Sequence, residues 1–231
     1  MYVPLMPVLL WFPFEVKILK REHFNKWYDL GPYYLALTVV SIPVQMILTL
    51  IYIAITYTLT DQPMEADRII WFYIVCILTV LVAESFGLLV GSVFSIVNAL
   101  FLGTVIKIPM MLLATYGFGS GAESIPGWIR ISMYFSYLRY SVEGLMSTML
   151  KNRSIIPCPE QEEWCIYTDV TFFLKSMGME NAVLWIDITA LLVFYLFFKV
   201  VGFYLLKQRL SPNRLTRSIH AMLKLVKSKL N

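Results

Sequence analysis

A run of 27 residues from Tyr33 to Leu59 contains no charged side chain. As an α-helix this run would be about 40 Å long, which exceeds the ~30 Å hydrocarbon thickness of a bilayer. Soluble cores rarely need an uncharged block of this length, so the pattern predicts membrane-spanning helices. Three further blocks have the same character and contain few charges: 69–94 with Glu84, 99–118 with Lys107, and 182–206 with Asp187 and Lys199.

The composition agrees with a membrane protein. Hydrophobic residues make up 58% of the 231 positions and charged residues 15%, compared with about 25% charged in ordinary soluble domains. These values exclude a disordered chain, a nucleic-acid-binding tail protein and a disulfide-dense secreted module. They predict an integral membrane protein with no nucleic-acid partner. The three cysteines form no CxxC pattern and have no His-rich partner motif, so no metal site is expected; Cys76 is expected to be a buried apolar residue.

The charge pattern divides the chain into segments. The first 14 residues are apolar but too short to span a bilayer, so they are interpreted as the end of a truncated transmembrane helix or as an interfacial piece. The predicted segments are an end of a span at 1–14, a charged surface helix at 15–31, three transmembrane helices within 33–118, a long outer loop at 119–181, a last transmembrane helix at 182–206, and a basic amphipathic tail at 207–231.

The basic residues predict the orientation. Segment 15–31 contains four Lys or Arg residues and the tail after 206 contains seven of the 19 in the chain. The positive-inside rule places both in the cytoplasm, which requires an even number of crossings between them and agrees with four complete spans. The outer loop includes an apolar stretch at 125–150. Because Arg130, Arg139 and Glu143 argue against a full span there, a re-entrant or interfacial helix pair is predicted.

Several strings carry a resemblance to a known family. They are FPFEVKILKREHFNKWYDLGPYYLA at 12–36, PVQ at 43–45, SFGLLVGS at 85–92 and SIPGWIRISMYFSYLRYSVEG at 124–144. Over about residues 8–207 the chain resembles the transmembrane domain of the G-subfamily ATP-binding-cassette half-transporters, the group of White and the sterol exporters. The resemblance implies an ABC-2 type all-α fold with six spans per half-transporter and an ATP-binding domain before the first span.

The resemblance also implies what this chain lacks. A phosphate-binding GxxxxGK[ST] motif occurs nowhere in the sequence. The chain is therefore expected to be a C-terminal portion that is not an enzyme by itself and holds no cofactor, while ATP and Mg belong to the missing domain. The expected partners are membrane lipid, an ATP-binding domain, a small amphipathic substrate, and a second half-transporter in a homodimer or heterodimer. The expected location is a multi-pass position in the plasma membrane.

The resemblance implies roles for two groups near the amino-terminal end. Glu15, Arg21 and Glu22 lie in the stretch that forms the coupling helix, which rests on the ATP-binding domain; the alternative is a surface helix whose charges only face water. Gln45, two residues after Pro43, lies at a position associated with the transport path; the alternative is a hydrogen bond between helices.

Two intramembrane charges are predicted to pair. Glu84 lies eleven residues before Ser95 and Lys107 twelve after it, so both are roughly 16–18 Å from the turn between two consecutive spans. Equal depth predicts a structural ion pair, and the alternative is a polar feature of the substrate path. Of the remaining intramembrane charges, Lys199 is expected to extend toward the cytoplasm and Asp187 to be hydrated at the outer end.

The resemblance places the substrate path on the third complete span. Ile106, Met110, Leu113 and Phe118 are expected to line a central cavity between two protomers, with Gly117 and Phe118 forming a hydrophobic valve at its outer end. The alternative is packing against lipid or other helices. In the outer loop, Cys158 and Cys165 are predicted to form a disulfide, with two free thiols as the alternative. Asn152 begins a glycosylation sequon, although its closeness to an apolar stretch argues against modification.

The sequence thus predicts the membrane domain of an ATP-driven exporter of lipid, sterol or other amphipathic small molecules. An alternative is a truncated, non-transporting subunit that dimerises with full-length half-transporters and regulates them. An intramembrane enzyme has no support, because neither HExxH nor GxSxG occurs in the sequence.

Overall fold

The computed structural model describes residues 2–25, 27–60, 64–115, 127–150, 169–176, 179 and 182–210. The described helices are α1 (Tyr2–Phe24), α2 (Leu30–Leu59), α3 (Ala66–Val93), α4 (Ile96–Thr115), α5 (Gly127–Tyr134), α6 (Tyr137–Leu150), α7 (Val170–Ser176) and α8 (Leu184–Leu210). The prediction of an all-α membrane protein is confirmed. The predicted tail at 207–231 is described only as far as Leu210, within α8, and its remainder lies outside the described residues.

Four of these helices are long and apolar enough to cross a membrane: α2, α3, α4 and α8. They correspond to the four predicted spans, and the described ends differ from the predicted ends by no more than four residues. The central helix is α3, in which 67% of the most apolar segment is buried inside the bundle, compared with 11% for α2 and 22% for α8. Helices α1, α2, α4, α6 and α8 all contact α3, which lies at the centre of the bundle.

No break in the helix separates residues 14 and 15, because α1 continues from Tyr2 to Phe24. The change from a membrane segment to a surface segment at this point remains a prediction. The charged residues that begin at Glu15 lie on a helix whose buried side continues. Phe12, Val16 and Leu19 follow one another at helical spacing, and none is more than 3% exposed. One straight buried stripe thus joins the apolar and the charged halves into one helix.

Glycines allow α1 to approach the bundle closely. A Cβ atom at Gly87 would lie 3.1 Å from Leu5 Cδ1, and one at Gly91 would lie 3.1 Å from Phe12 Cδ1. These two glycines form a GxxxG pair on α3, the spacing that lets helix backbones pack together in membranes. On α4, a Cβ atom at Gly103 would lie only 2.5 Å from Leu9 Cδ1. The absence of side chains at these positions is therefore what seats α1 against α3 and α4.

The charged end of α1 and the end of α8 lie at the same end of the bundle. Leu19, Leu30 and Leu210 belong to one buried cluster. Arg209 near the end of α8 donates a hydrogen bond of 2.6 Å to the carbonyl of Ser92, at the end of α3. This placement is the one that an even number of crossings between segment 15–31 and the tail requires.

The predicted helix pair after α4 is present as α5 and α6. Tyr137, at the start of α6, is fully buried, and α6 packs against α3, α4 and α8. The hydroxyl of Ser136 donates to the carbonyl of Met110 on α4 at 2.9 Å, and that of Thr79 on α3 donates to Ser141 on α6 at 2.8 Å. The helix pair is thus held by protein contacts, which is what allows a non-spanning segment to lie at membrane depth.

Candidate functional site

The predicted ion pair between Glu84 and Lys107 is not formed. Glu84 is 4% exposed and its Oε2 atom has no hydrogen-bond partner; Lys107 is 1% exposed and its Nζ atom has none either. Lys107 instead lies over the ring of Tyr137, 4.6 Å from its centroid, and 6.0 Å from that of Phe86. Equal depth along two helices does not decide which way each side chain points, and Lys107 points toward α6.

Glu84 faces a cavity of about 380 Å³ between α1, α2 and α3. Gln45 on α2 lines the same cavity, so the structure brings together two polar residues that the sequence analysis had treated separately. The walls are otherwise mostly apolar, with Val8 and Trp11 from α1 and Val44 from α2. The association of Gln45 with a transport path remains a prediction.

Lys199 is buried, which differs from the expectation that it extends toward the cytoplasm. It is 9% exposed, and its Nζ atom donates a hydrogen bond of 3.2 Å to Thr38 Oγ1 on α2. The rings of Tyr34 and Tyr195 lie 5.7 and 5.6 Å from the same atom. The buried ammonium of Lys199 is therefore held by Thr38 and by the two tyrosine rings.

A second polar cluster, which the sequence analysis did not assemble, lies where α6 meets α8. Asp187 is 2% exposed, which contradicts the expectation that it is hydrated. Glu143 lies on α6 with its carboxylate 3.9 Å from the Arg139 guanidinium. Burial raises the pKa of Glu143, and the charge of Arg139 opposes that rise. A Cβ atom at Gly144 would lie 3.5 Å from the Asp187 Cβ atom, so this glycine was a signal that α6 and α8 pack closely.

The residues predicted to line a central cavity on α4 are turned partly into the bundle. Met110 packs against the main core, Leu113 is half-buried, and Ile106 is 38% exposed. The most exposed side of α4 lies opposite those three residues. It consists of five apolar residues: Val97, Phe101, Val105, Ile108 and Leu112. We call these five residues the free face of α4. That Ile106, Met110 and Leu113 line a cavity remains a prediction.

The predicted coupling residues lie on the last turns of α1. Arg21 is exposed, whereas Glu22 accepts a hydrogen bond from the Tyr28 hydroxyl and Glu15 lies beside Tyr33. Burial and the hydrogen bond to Glu22 raise the pKa of Tyr28. The two tyrosine rings stack with centroids 5.6 Å apart. The carboxylates therefore fix the α1–α2 turn, and the basic side chains are the ones that face outward.

Some predicted residues cannot be compared with the structure. Gly117, Phe118, Asn152, Cys158 and Cys165 lie outside the described residues, so the valve, the disulfide and the glycosylation site remain predictions. Cys76 is a buried free cysteine, as predicted. Over the ranges that the structure covers, no three His, Cys, Asp or Glu side chains come together in a group that could hold a metal ion.

Comparison with known proteins gives a consistent result. A family model described as "ABC-2 type transporter" matches residues 1–150. The chain is 27% identical over 206 residues to ABC transporter G family member 21 of Arabidopsis thaliana, covering 89% of this chain and 30% of that protein. It is 25% identical over 203 residues to Protein white of Drosophila melanogaster, covering 86% of this chain and 29% of that protein. The chain thus spans less than a third of the length of these relatives.

Proposed function

The chain belongs to the ABC-2 type transporter family, and on that premise we propose that it forms the membrane half of an ATP-driven exporter of amphipathic small molecules, such as lipids or sterols, in the plasma membrane. The observation that carries the proposal is the continuity of α1. One helix joins the outward-facing basic residues near Arg21 to the cavity wall at Val8 and Trp11.

This continuity supports a mechanical role for α1. An ATP-binding domain that pressed on Lys17, Lys20 and Arg21 would move a rigid helix rather than a loop, because Val16 and Leu19 anchor the same turns in the bundle. The close contacts at Gly87 and Gly91 would pass the motion to the central helix α3. ATP and Mg would be held by that separate domain, and this chain would supply the path for the substrate.

Pairing with a second half-transporter is supported by apolar surface that this chain leaves uncovered. The free face of α4 carries no charge, and α5, which packs against α4, exposes Trp128, Ile131 and Tyr134. Since α5 is not a spanning helix, its exposed aromatic residues favour a protein partner over lipid alone. The proposed dimer interface therefore includes α4 and α5.

Cysteine cross-linking tests the interface. Cys76, Cys158 and Cys165 are first replaced by serine, and a single cysteine is then introduced by Phe101→Cys on the free face or, as a matched control, by Leu50→Cys. Leu50 is similarly exposed, at 59% against 68%, but lies on α2. We expect oxidation in native membranes to give a cross-linked dimer for Phe101→Cys alone. Equal cross-linking at both positions, or none at Phe101→Cys, contradicts the proposed interface.

Efflux measurements test transport. Cells expressing a full-length G-family half-transporter are loaded with radiolabelled cholesterol or a fluorescent short-chain phospholipid, with and without this chain. The exporter function predicts that adding the chain raises ATP-dependent efflux, and that a chain with Arg21→Glu raises it less. A fall in efflux would instead support the regulatory subunit considered as the alternative. Unchanged efflux with both lipids would count against either function.

A further inference from the structure

We propose that the outward face of α1 binds an anionic phospholipid of the cytoplasmic leaflet, which places its phosphate between Lys17 and Arg21 and an acyl chain along Phe14. We define this face as Leu10, Phe14, Lys17, Ile18 and Arg21. The lipid is held as a bound partner rather than transported, so the inference goes beyond the proposed export function. Binding needs neither ATP nor the domain that is proposed to press on Lys17 and Arg21.

The outward face is the side of α1 that the bundle leaves uncovered. Its residues follow one another at helical spacing, opposite the buried side of the helix. Its three apolar residues are between 47% and 55% exposed, and Lys17 and Arg21 are exposed as well. The face is apolar toward the start of α1 and basic toward its end. This order is typical of a helix that passes from the acyl chains of a bilayer into the headgroups.

The side chain of Lys17 joins the apolar and the basic parts of the face. Its Nζ atom lies 5.7 Å from the centroid of the Phe14 ring, so the aliphatic stem is beside the ring and the ammonium group lies at its edge. Between Leu10 and Arg21 the helix rises about 16 Å, enough to contact both a headgroup and the upper part of an acyl chain. Trp27, just after α1, is 71% exposed, as expected for an aromatic residue at the membrane interface.

The carboxylates at this end of α1 are directed away from the outward face. Glu22 and Glu15 are held by tyrosines at the α1–α2 turn. Asp29, which is exposed, immediately precedes α2 and therefore lies on the same side. Within the part of the chain that the structure describes, neither Lys17 nor Arg21 forms an ion pair. The outward face thus presents basic groups without acidic neighbours, which favours an anionic partner.

The depth of the face favours a lipid over a protein partner. A cytoplasmic domain could contact Arg21 but not Leu10 or Phe14, which lie on the apolar half of α1. A second copy that docked through the same face would bring the basic residues against their own counterparts, and like charges repel. An anionic phospholipid matches both parts, because its acyl chain covers the apolar residues and its phosphate the basic ones. Phosphatidylcholine matches them less well, since its choline brings a positive charge.

The test uses the full chain in micelles of an uncharged detergent and a phosphatidylserine probe with a diazirine in its acyl chain. Photolabelled peptides are identified by mass spectrometry, and only peptides from α1 are counted, so that labelling of the basic tail has no influence. The competitors are unlabelled phosphatidylserine, phosphatidylglycerol, phosphatidylcholine and glycerophosphoserine, which is the headgroup without acyl chains.

We expect both anionic lipids to compete about thirtyfold more strongly than phosphatidylcholine, the ratio that two basic residues near a membrane surface provide. Equal competition by phosphatidylcholine would overturn the proposal. Equally strong competition by glycerophosphoserine would also overturn it, because that result would indicate a site for a soluble anion rather than for a lipid.

Two paired variants locate the site. Lys17→Gln combined with Arg21→Gln removes both charges, and the anionic lipids should then compete no better than phosphatidylcholine. Lys175→Gln combined with Lys207→Gln removes two charges elsewhere and should leave the preference unchanged. All four side chains are exposed, so neither pair disturbs the buried core. A preference that survives the first pair, or that the second pair removes equally, would refute the site.

Discussion

Gly103→Ala is predicted to destabilise the bundle although alanine is the better helix former. The added Cβ atom would lie 2.5 Å from Leu9 Cδ1, closer than carbon atoms can approach. Leu9 is fully buried, so its methyl group cannot swing into free space and α1 must shift or Leu9 must leave its preferred rotamer. Overpacking of this kind costs about 1–3 kcal/mol. The intrinsic preference of a helix for alanine over glycine offsets about 1 kcal/mol of that cost.

The net expectation is that Gly103→Ala lowers the free energy of unfolding by about 1 kcal/mol, within the spread of these two effects. The sign should reverse once the obstructing methyl groups are gone. Leu9→Ala alone should destabilise the protein by about 2–5 kcal/mol, since it leaves a cavity. In that background, Gly103→Ala should be neutral or stabilising, because the new methyl group enters space that Leu9 no longer fills.

The measurement is unfolding in mixed micelles with increasing SDS, followed by the fluorescence of the six tryptophans. Gly31→Ala serves as the control, because a Cβ atom there has no neighbour within 4 Å. It should show the effect of an added methyl group on a helix without the clash. If Gly103→Ala stabilises the protein as much as Gly31→Ala does, or if its effect is the same with Leu9 and with Leu9→Ala, the reasoning about α1 and α4 packing is refuted.

Two further predictions concern the ends of helices. Arg209→Gln should destabilise the contact between α8 and α3 by about 1 kcal/mol, since it removes the charge-assisted hydrogen bond to the Ser92 carbonyl. Arg209→Lys should restore only part of the loss. Equal unfolding curves for the unchanged protein and both variants would contradict this role. Asp169 accepts hydrogen bonds from the Thr171 hydroxyl and amide, which hold its pKa below the ordinary 3.8. Because the folded pKa is lowered, this contribution to α7 is present above pH 3.8 and is lost as the pH falls through the folded pKa. An NMR titration of the Asp169 carboxyl checks this, and a midpoint at or above 3.8 would contradict it.

The sequence predicted the spans well because span formation depends on a local property. A long block without charges must be helical in lipid, since every backbone polar group has to be satisfied within the segment. Ser95 and the polar residues near 60–68 mark the ends of such blocks, and the structure has α3 and α4 meeting near Ser95. The helix pair at α5 and α6 was predictable for the complementary reason, because its charges exclude a full span.

The boundary at Glu15 shows where a local pattern fails. Charges begin there, so the sequence indicates a change from membrane to surface. The helix continues because Val16 and Leu19 remain on the buried side of α1, where they belong to the same core cluster as Leu88 of α3 and Leu206 of α8. The GxxxG pair at Gly87 and Gly91 was visible in the sequence as a signal for close packing, but it does not say which helix packs there.

What the sequence alone determined is how far along each helix a residue lies: the spans, their order, and the depth of Glu84 and Lys107. What only the tertiary structure decided is direction around each helix, which turned Lys107 toward Tyr137 and Glu84 toward the cavity that Gln45 shares. The physical reason is that depth follows from the rise per residue within one helix, whereas the direction of a side chain is set by how neighbouring helices pack against it.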